Sequence, residues 1–401
     1  MKFLHLIDSV DARGGGPIEG ALRLHEALVA TGHSGEFACV NSPDDPHLRS
    51  FPATVHALGP GKGGYGFTST LVPWLVAHAS SFDAVIVNGL WQYPGLAAWR
   101  ALSGARTPYF VFTHGMLDPW FKHRYPLKHL KKSLYWRWGE YRVLRDAKAV
   151  LFTCEEEKLL ARQSFRPYRA NEVVLSFGTA RPPQDAQRLS ETYLSAFPAL
   201  KGKRLLLYLG RIHEKKGCDL LIQAFAERCR GMPDVHLVMA GPDQEGWAPE
   251  LQQLAQRLGV ADRVSWPGLL SGDLKWGAFY ASEAFCLPSH QENFGIAVAE
   301  SLGCGRPVLI SNKVNIWREI KADGAGFVEN DTLEGTTALL DRWLASSPEA
   351  LDLLRNSARA CFENRFRMDR VAERLVRLVQ FGSVDSEVAE IPNRARRPDG
   401  D

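Results

Sequence analysis

Two glutamates eight residues apart, Glu292 and Glu300, flank a predicted junction between a strand and a helix. The apolar run 284–287 before them indicates a buried strand, and the Ala, Val, Glu and Leu content of 296–302 favours a helix. Helical side chains tilt toward the N-terminus of their helix, so Glu300 leans back toward the junction. Both carboxylates are therefore expected to accept hydrogen bonds from hydroxyl groups, such as those of a sugar or a ribose.

The start of this predicted helix is suited to bind an anion. Asn293 is a good N-cap, and Gly295 has no side chain that would block an approaching group. Unpaired backbone N–H groups at a helix start attract anions, phosphate above all. The groups expected to do so are those of Phe294, Gly295 and Ile296. The alternative is a loop-to-helix junction with two solvated glutamates, which is the more ordinary interpretation of either glutamate alone.

A cluster of cations follows another predicted strand. The apolar run 205–210 indicates a fully buried strand. Three cations come after it and before a helix predicted over 219–228, namely Arg211, Lys215 and Lys216. Cations at the carboxyl end of a strand, facing the start of a helix, suit a diphosphate. The alternative is a surface charge cluster, but the strand–loop–helix placement favours phosphate binding.

A run of three glycines marks the first strand end in the chain. Gly14, Gly15 and Gly16 lie between a strand predicted over 3–7 and a helix predicted over 18–30. Glycines at such a position let the oxyanions of a ligand approach the backbone closely. The alternative is a flexible turn. Since the run is not G-x-G-x-x-G, no nicotinamide site is expected here.

A histidine marks the end of another predicted strand. The apolar runs 84–88 and 109–112 both indicate buried strands, and His114 follows the second of them. At the carboxyl end of an α/β strand, a histidine lies where such sheets bind ligands. A lone histidine is more often a structural residue, so both interpretations stay open at this point.

The segment 120–145 is unusually rich in aromatic and basic residues, and we predict a helix from about Leu127 to Arg145. One face of this helix would carry the apolar residues Leu127, Leu130, Leu134, Trp138 and Tyr141. The cations around that face are Lys128, Lys131, Lys132, Arg137, Arg142 and Arg145. The periodicity favours a helix packed on the core with a solvated basic side, whereas the interleaved aromatic residues also suit a membrane interface.

Composition limits the class of protein. The 401 residues are enough for two α/β domains, and 45% hydrophobic with 23% charged residues are typical of a soluble globular protein. The net charge of +3 is too small to indicate nucleic-acid binding. The N-terminus does not resemble a signal peptide, and no apolar run approaches a membrane span. The seven scattered cysteines, without a C-x-x-C pair, indicate reduced core residues of a cytoplasmic protein.

Strands and helices alternate along the chain, which indicates an α/β fold with two successive βα domains. We predict a first domain over 1–180, a linker over 181–203 and a second domain over 204–365. The stretch from 351 to 380 is helical by composition, and its last part, 366–382, is expected as a C-terminal helix that packs back on the first domain. The polar tail 383–401 is expected to be disordered.

Four motifs, in the order in which they occur along the chain, resemble those of family-4 retaining glycosyltransferases of the GT-B fold. They are Gly14-Gly15-Gly16, Thr113-His114-Gly115, Gly210-Arg211-Ile212-x3-Lys216-Gly217 and Glu292-x7-Glu300. The resemblance spans nearly the whole chain except the tail. It implies two Rossmann-like domains, an active site in the cleft between them and a nucleotide-diphosphate sugar as donor. One departure is Ser176-Phe177-Gly178, where relatives usually carry Pro-Asn-Gly.

The resemblance also implies a role for each candidate residue. Arg211 and Lys216 would neutralise the donor diphosphate, assisted by the helix start at Phe294, Gly295 and Ile296. Glu292 would hold hydroxyls of the donor sugar, Glu300 the ribose, and His114 would face the sugar near the reacting carbon. The loop with Gly15 and Gly16 would close over the phosphates. The family analogy implies retention of configuration without a metal or other cofactor, and the one D-x-D sequence, 399–401, lies in the tail.

The acceptor is expected on the first domain. The basic, aromatic segment there suggests a lipid-linked glycan at the inner face of the cytoplasmic membrane, with the protein docked on anionic lipid during envelope-polysaccharide, for example lipopolysaccharide, assembly. A sugar-nucleotide epimerase of similar architecture is the leading enzymatic alternative, but no separate set of acid and base carboxylates is evident. A non-catalytic sugar-binding protein is the alternative from another class.

Overall fold

The computed structural model describes residues 1–11 and 15–384, apart from the side chain of His123. Within them the chain forms two parallel β-sheets, each covered by helices. Gly14, the tail beyond 384 and the D-x-D sequence at 399–401 lie outside the described residues, so the predictions made for them stay predictions.

The first sheet has seven parallel strands in the order β3-β2-β1-β4-β5-β6-β7. Its strands are β1 Lys2–Leu6, β2 Ser34–Cys39, β3 Val55–Ala57, β4 Ala84–Asn88, β5 Tyr109–Phe112, β6 Ala149–Phe152 and β7 Glu172–Val174. The central strands are buried on both faces, which explains why they are continuous apolar runs in the sequence. The strand order reverses between β1 and β4, where α/β sheets bind ligands.

The second sheet has six parallel strands in the order β10-β9-β8-β11-β12-β13. Its strands are β8 Arg204–Leu209, β9 Val235–Ala240, β10 Val264–Gly268, β11 Ala284–Leu287, β12 Val308–Ser311 and β13 Gly326–Glu329. Here the order reverses between β8 and β11, the two strands that precede the predicted cation cluster and the predicted glutamate pair. The architecture is therefore the predicted α/β arrangement of two Rossmann-like domains.

Sixteen α-helices connect and cover the strands of the described residues. In the first half they are α1 Gly16–Ala30, α2 Leu71–His78, α3 Tyr93–Leu102, α4 Trp120–Arg124, α5 Pro126–Trp136, α6 Glu140–Asp146 and α7 Glu155–Ala161. In the second half they are α8 Ala186–Ala196, α9 Cys218–Cys229, α10 Ala248–Arg257, α11 Gly272–Ala281, α12 Ile296–Gly303, α13 Trp317–Ala322, α14 Leu333–Leu344, α15 Pro348–Cys361 and α16 Met368–Phe381. Over residues 1–11 and 15–384, none of the helices combines the length and apolar character that crossing a membrane requires.

The last helix returns to the first domain. Met368, Val371 and Leu375 of α16 are buried in the same cluster as Phe3 and Leu24 of the first domain. The stretch predicted as one helix over 351–380 is divided, since the turn Phe362–Phe366 separates α15 from α16. The two domains are thereby connected twice, once by the segment after β7 and once by the segment before α16.

The segment 181–203 is more ordered than a linker suggests, because it contains α8. This helix packs closely on α11 of the second domain. At Gly277 of α11, an added Cβ would lie 2.3 Å from the carbonyl oxygen of Leu189 in α8, so only glycine permits this approach. Sequence reasoning missed the helix because the start of the segment has little apolar periodicity.

The helix predicted from Leu127 to Arg145 is two helices, α5 and α6, which are separated at Gly139. The expectation that its apolar face packs on the core is wrong. Leu127, Leu130, Leu134 and Trp138 are 82%, 60%, 71% and 70% exposed. The residue that anchors α5 to the core is Trp136, which is buried and donates a hydrogen bond from Nε1 to the carbonyl of Pro167 at 2.7 Å. We call the four exposed residues the apolar stripe.

All seven cysteines are buried and free. Cys39, Cys218, Cys286 and Cys304 pack in the cores of the domains, as their apolar surroundings in the sequence predicted. Burial raises the pKa of the Cys39 thiol to about 11, which keeps it protonated near neutral pH.

Candidate active site

The carboxyl ends of both sheets face one cavity of about 520 Å³ between the domains. His114 and Thr153 enter it from the ends of β5 and β6 in the first domain. Arg211 and Glu292 enter it from the ends of β8 and β11 in the second. Parallel strands bring residues that are far apart in sequence to the same edge of a sheet, and two such edges face each other here. We call this cavity the donor cleft, for the ligand that its residues were predicted to hold.

The donor cleft brings together most of the residues that the sequence singled out. Those that line it are Gly16, His114, Arg211, Lys216, Glu292, Asn293, Phe294, Gly295, Ile296 and Glu300. Gly15 does not line the cavity. It is the N-cap of α1 with a φ of 78°, so its role is to turn the chain into the helix that Gly16 begins.

Lys216 and Glu292 are held against each other in the cleft. The Lys216 ammonium donates to Oε2 of Glu292, and both side chains are largely buried. Gly217 permits the close approach of the two loops, since an added Cβ would lie 2.3 Å from the carbonyl oxygen of Pro288. Burial, together with the charges of Lys215 and Arg211, lowers the pKa of Lys216, whereas the paired Glu292 carboxylate favours its charged form.

The backbone of Glu292 is fixed by hydrogen bonds to the loop after β12. Its N–H donates to the carbonyl of Lys313 at 2.9 Å, and its own carbonyl accepts from the N–H of Asn315 at 2.9 Å. The carboxylate is therefore carried on a rigid support at the mouth of the cleft. This support was not evident in the sequence, because it comes from residues 21 and 23 positions downstream.

The helix after Glu292 begins two residues later than the N-cap prediction implied. Gly295, with a φ of 78°, is the N-cap of α12, and the prediction of Asn293 for that role is wrong. A left-handed residue directly before Ile296 ends the extended segment there, and glycine adopts it without strain. The amides at the helix start are consequently those of Ile296 and Ala297, and both residues line the cleft.

Asn293 instead joins the two domains. Its Nδ2 donates to Oγ1 of Thr153 at 3.3 Å. Gly115 packs against the same side chain. A Cβ added at Gly115 would lie 2.6 Å from Cγ of Asn293. The glycine of the Thr113-His114-Gly115 motif is therefore required for the approach of the second domain.

His114 has a strained backbone and a neutral ring. Its φ of 49° is left-handed, which is uncommon outside glycine, and marks a constrained position. The ring stacks on Phe112 at 5.4 Å between centroids and lies 3.4 Å from Oδ1 of Asn88 through Nε2. Burial lowers the pKa of His114 to about 4, so the ring contributes hydrogen bonds and not charge near neutral pH.

Two cations of the cleft were missed by sequence reasoning. Lys275 of α11 pairs with the buried carboxylate of Glu300, with 2.7 Å between Nζ and Oε1. Arg23 of α1 donates to Oγ1 of Thr179 at 2.7 Å and is also paired with Glu19. Both cations are single residues on helices, without a motif around them, and only the folded chain brings them to the cleft.

A buried carboxylate behind the cleft was also missed. Oε1 of Glu157 accepts hydrogen bonds from the Thr113 hydroxyl at 2.5 Å and the Gly115 N–H at 2.6 Å. Oε2 accepts from the N–H and the hydroxyl of Thr153 at 2.7 and 2.6 Å. Glu157 therefore holds the loops that carry His114 and Thr153 in one arrangement. The signal available in the sequence was an acidic first turn in α7, which indicates only helix stabilisation.

No metal site accompanies these residues in the part of the chain that the structure covers. Groups of three or more His, Cys, Asp or Glu side chains placed to hold an ion do not occur there. The cations that line the cleft in the described residues are Arg23, Arg211, Lys216 and Lys275, and the amides that begin α12 add partial positive charge.

The two halves of the chain each match a family model of glycosyl transferases. Residues 191–360 match the family model described as glycosyl transferases group 1, and residues 15–178 match the glycosyl transferase 4-like domain. D-inositol 3-phosphate glycosyltransferase of Segniliparus rotundus is 30% identical over 215 residues, covering 50% of this chain and 44% of that protein. Alpha-D-kanosaminyltransferase of Streptomyces kanamyceticus is 29% identical over 195 residues, covering 47% and 48%. The chain thus spans about half or less of the length of these curated relatives.

Solved structures share the fold over nearly the whole chain. HepE of Anabaena in complex with UDP superposes with a TM-score of 0.75 at 18% identity, covering 95% of this chain and all of that one. WaaG, a glycosyltransferase involved in lipopolysaccharide biosynthesis, superposes with a TM-score of 0.64 at 17% identity and the same coverage. At such identities the likeness establishes the GT-B architecture alone.

Proposed function

Because this chain belongs to the group 1 glycosyl transferases, we propose that it transfers a sugar from a nucleoside diphosphate sugar to a glycan acceptor, with retention of configuration. The observation that carries the proposal is the convergence in one cleft of cations, helix amides and carboxylates. Arg211, Lys216 and the start of α12 suit a diphosphate, whereas Glu292 and Glu300 suit hydroxyl groups. A nucleoside diphosphate sugar presents both chemistries in one molecule.

Each group acts on a different part of the donor in this proposal. Lys216 and Arg211 bind the diphosphate, and the amides of Ile296 and Ala297 assist them. Glu300, deep in the cleft and paired with Lys275, accepts hydrogen bonds from the ribose. Glu292, at the end of β11, holds hydroxyls of the donor sugar. His114, a neutral ring facing Glu292 from the other domain, adds a hydrogen bond near the reacting carbon.

The chemical step is a substitution at the anomeric carbon. The bond from that carbon to the diphosphate oxygen breaks, and the acceptor hydroxyl oxygen forms the new bond. The acceptor proton passes to an oxygen of the leaving diphosphate, so no protein base is required. Negative charge grows on the leaving group, and fixed cations and amides directed at it stabilise the transition state more than the ground state. We propose that these groups suffice without a metal or other cofactor.

A donor screen tests the proposal. The purified protein is incubated with UDP- and GDP-linked hexoses, and release of the nucleoside diphosphate and the fate of the sugar are followed by NMR. Slow hydrolysis, or transfer when a glycan is added, supports a glycosyltransferase, and an α-glycosidic bond in the product of transfer from an α-linked donor supports retention. Epimerised sugar nucleotide indicates the epimerase, and binding without turnover indicates a sugar-binding protein. The UDP in the HepE structure makes uridine donors the first to test.

We further propose that the acceptor is lipid-linked and that the protein docks at the inner face of the cytoplasmic membrane during envelope-polysaccharide assembly. The apolar stripe, which lies on α5 and directly after it, supports this, because four large apolar side chains are exposed together on the first domain. Lys128, Lys131 and Arg137 are exposed beside the stripe, which suits an anionic lipid surface. Lys132 does not belong to this set, since it lies over the Trp91 ring at 4.4 Å.

A further inference from the structure

A second cavity, of about 550 Å³, lies between the domains beside the donor cleft. The first domain contributes Trp120, Arg124 and Tyr125, and the second contributes Lys215, Trp247 and His290. Of these six residues only Lys215 belongs to the cation cluster predicted to suit a diphosphate, and the structure places it in this cavity and not in the donor cleft. The size is that of a small-molecule site, and the position between the domains is where such sites commonly occur.

The two cavities share a wall. Lys216 lines the donor cleft and its neighbour Lys215 lines the second cavity, so the turn Glu214–Lys216 borders both. The same holds for Glu292 and His290, two positions apart on the neighbouring loop. The N–H of His290 donates to the carbonyl of Lys215 at 2.8 Å, which joins the two loops. A molecule in the second cavity therefore lies directly beside a donor bound at Lys216 and Glu292.

Aromatic rings form opposite sides of this cavity. Trp120 and Tyr125 enter from the first domain, with their rings 6.1 Å apart in an edge-to-face arrangement. Trp247 enters from the loop before α10 of the second domain. Aromatic faces combine a large apolar surface with a rigid shape and suit the C–H faces of a pyranose ring. Glu214 and Asp219 on the same wall are acceptors for sugar hydroxyls.

Lys215 is a half-buried cation of the cavity. Its ammonium lies over the Trp120 ring, 5.5 Å from the centroid, and over residues 1–11 and 15–384 it has no ion pair with a carboxylate. Burial and the charge of Arg211 lower the pKa of Lys215, and Asp118, whose charge opposes them, is engaged elsewhere by the N–H of Trp120 at 2.8 Å and the amide of Gln291 at 3.1 Å. A partly buried ammonium without a carboxylate partner favours an anionic ligand.

We infer that this second cavity is the acceptor site and that it takes a saccharide bearing a phosphate or carboxylate group, with the ring against Trp120 and Trp247 and the acidic group at Lys215. The inference rests on the proposed transferase function. It also fits the position of the apolar stripe, because α4 with Trp120 directly precedes α5.

Saturation-transfer NMR tests the inference with the whole chain in the presence of saturating UDP or GDP. The probes are glucose, galactose and mannose, their 6-phosphates, and the corresponding hexuronic acids. We expect at least one anionic probe to bind at least tenfold more tightly than its neutral parent, and the phosphate and carboxylate sets identify the acidic group. Lys215→Ala is expected to abolish this preference, and Trp120→Ala to weaken binding of charged and neutral probes alike.

The control variant is Lys122→Ala, since Lys122 is exposed on the same helix as Trp120 but does not line the cavity. It should bind every probe as the wild type does. Nucleotide binding by all three variants within twofold of wild type shows that the donor cleft is intact. If the nucleotide binds and no saccharide does, or if charged and neutral probes bind equally, the acceptor inference is wrong while the proposed function stands. If neither UDP nor GDP binds, the proposed function itself fails.

Discussion

Lys216 and Glu292 form an ion pair across the donor cleft, although the sequence assigns them to different parts of the donor. The pair joins the turn after β8 to the loop after β11, and these loops lie on either side of the point where the strand order reverses. A diphosphate that binds Lys216 competes with Glu292 for the ammonium and leaves the carboxylate available to sugar hydroxyls. In the proposed function, this one contact couples binding of the phosphate part to orientation of the sugar.

The first prediction concerns the cations. We expect Lys216→Ala and Arg211→Ala each to lower kcat/KM for the donor by roughly 30- to 1,000-fold, since a contact to the leaving group contributes about 2–4 kcal/mol. Turnover of a nucleoside diphosphate sugar measures this. Lys321→Ala, an exposed lysine on α13, is the control, and circular dichroism should show all three variants folded. Near-native activity in both cleft variants would contradict the assignment of Lys216 and Arg211 to the diphosphate.

The second prediction separates the two glutamates. Glu300 is almost fully buried with Lys275 as its partner, whereas Glu292 lies at the mouth of the cleft. We expect Glu300→Ala to weaken binding of the free nucleoside diphosphate, and Glu292→Ala to reduce transfer while diphosphate affinity is kept or increased, because Lys216 loses its competing carboxylate. Calorimetry with UDP and GDP measures the difference. Equal losses of UDP or GDP affinity in the two variants would contradict the assignment of Glu300 to the ribose and Glu292 to the donor sugar.

The fold could be predicted from the sequence because parallel strands buried on both faces are continuous apolar runs, and because loops after such strands carry the ligand-binding residues. His114, Arg211 and Glu292 were found in this way. Lys275 and Arg23 could not be found, since helix residues without a motif are brought to the cleft only by packing.

Periodicity was also an incomplete guide in the segment 120–145. It identified the apolar residues of one face but not the side of the helix that meets the core. That side depends on Trp136, which fills a pocket of the first domain, and on the break at Gly139. An added Cβ at Gly139 would lie 2.1 Å from the Tyr135 ring, so any larger residue would displace this ring where the chain turns.

The third prediction concerns Glu157, a positioning residue. Both carboxylate oxygens of Glu157 accept hydrogen bonds from backbone N–H groups. In Glu157→Gln the side-chain amide NH₂ faces one of these N–H donors, and the lost hydrogen bond costs about 1–3 kcal/mol of stability. Because Glu157 holds the His114 loop and not the nucleotide, we expect kcat to fall while UDP affinity stays unchanged. Thermal unfolding, calorimetry and turnover measure the three effects. Glu155→Gln, on the exposed side of α7, is the control, and wild-type kcat in Glu157→Gln would contradict the role.

The fourth prediction concerns acid stability. His5 is fully buried, stacks on Phe37 at 4.8 Å between centroids and has no hydrogen-bond partner for either ring nitrogen within the described residues. Burial, and then the nearby His25, lower the pKa of His5 to about 3. Below its ordinary pKa of about 6.5 the unfolded chain binds a proton that the folded chain does not, so stability falls as the pH falls.

From this single residue the loss between pH 7 and pH 5 amounts to about 2 kcal/mol. In His5→Leu this contribution is absent, and we expect the free energy of unfolding to fall less steeply over the same range. Urea unfolding of both proteins at pH 7, 6 and 5 measures it. Parallel pH dependence in the two proteins would show that His5 does not control acid stability.

The last prediction concerns the membrane. Each basic residue near an anionic surface contributes on the order of 1 kcal/mol, and each leucine buried in lipid contributes about 1.5–3 kcal/mol. We therefore expect co-sedimentation with anionic liposomes that salt weakens but does not abolish. The double variant Lys128→Glu with Lys131→Glu should lose the salt-dependent part of liposome binding. The triple variant Leu127→Ser, Leu130→Ser and Leu134→Ser should lose the salt-resistant part. Leu353→Ser, at a leucine 69% exposed on α15, is the control for exposure alone. Absence of sedimentation, or wild-type sedimentation of the triple serine variant, would exclude the apolar stripe as a membrane contact.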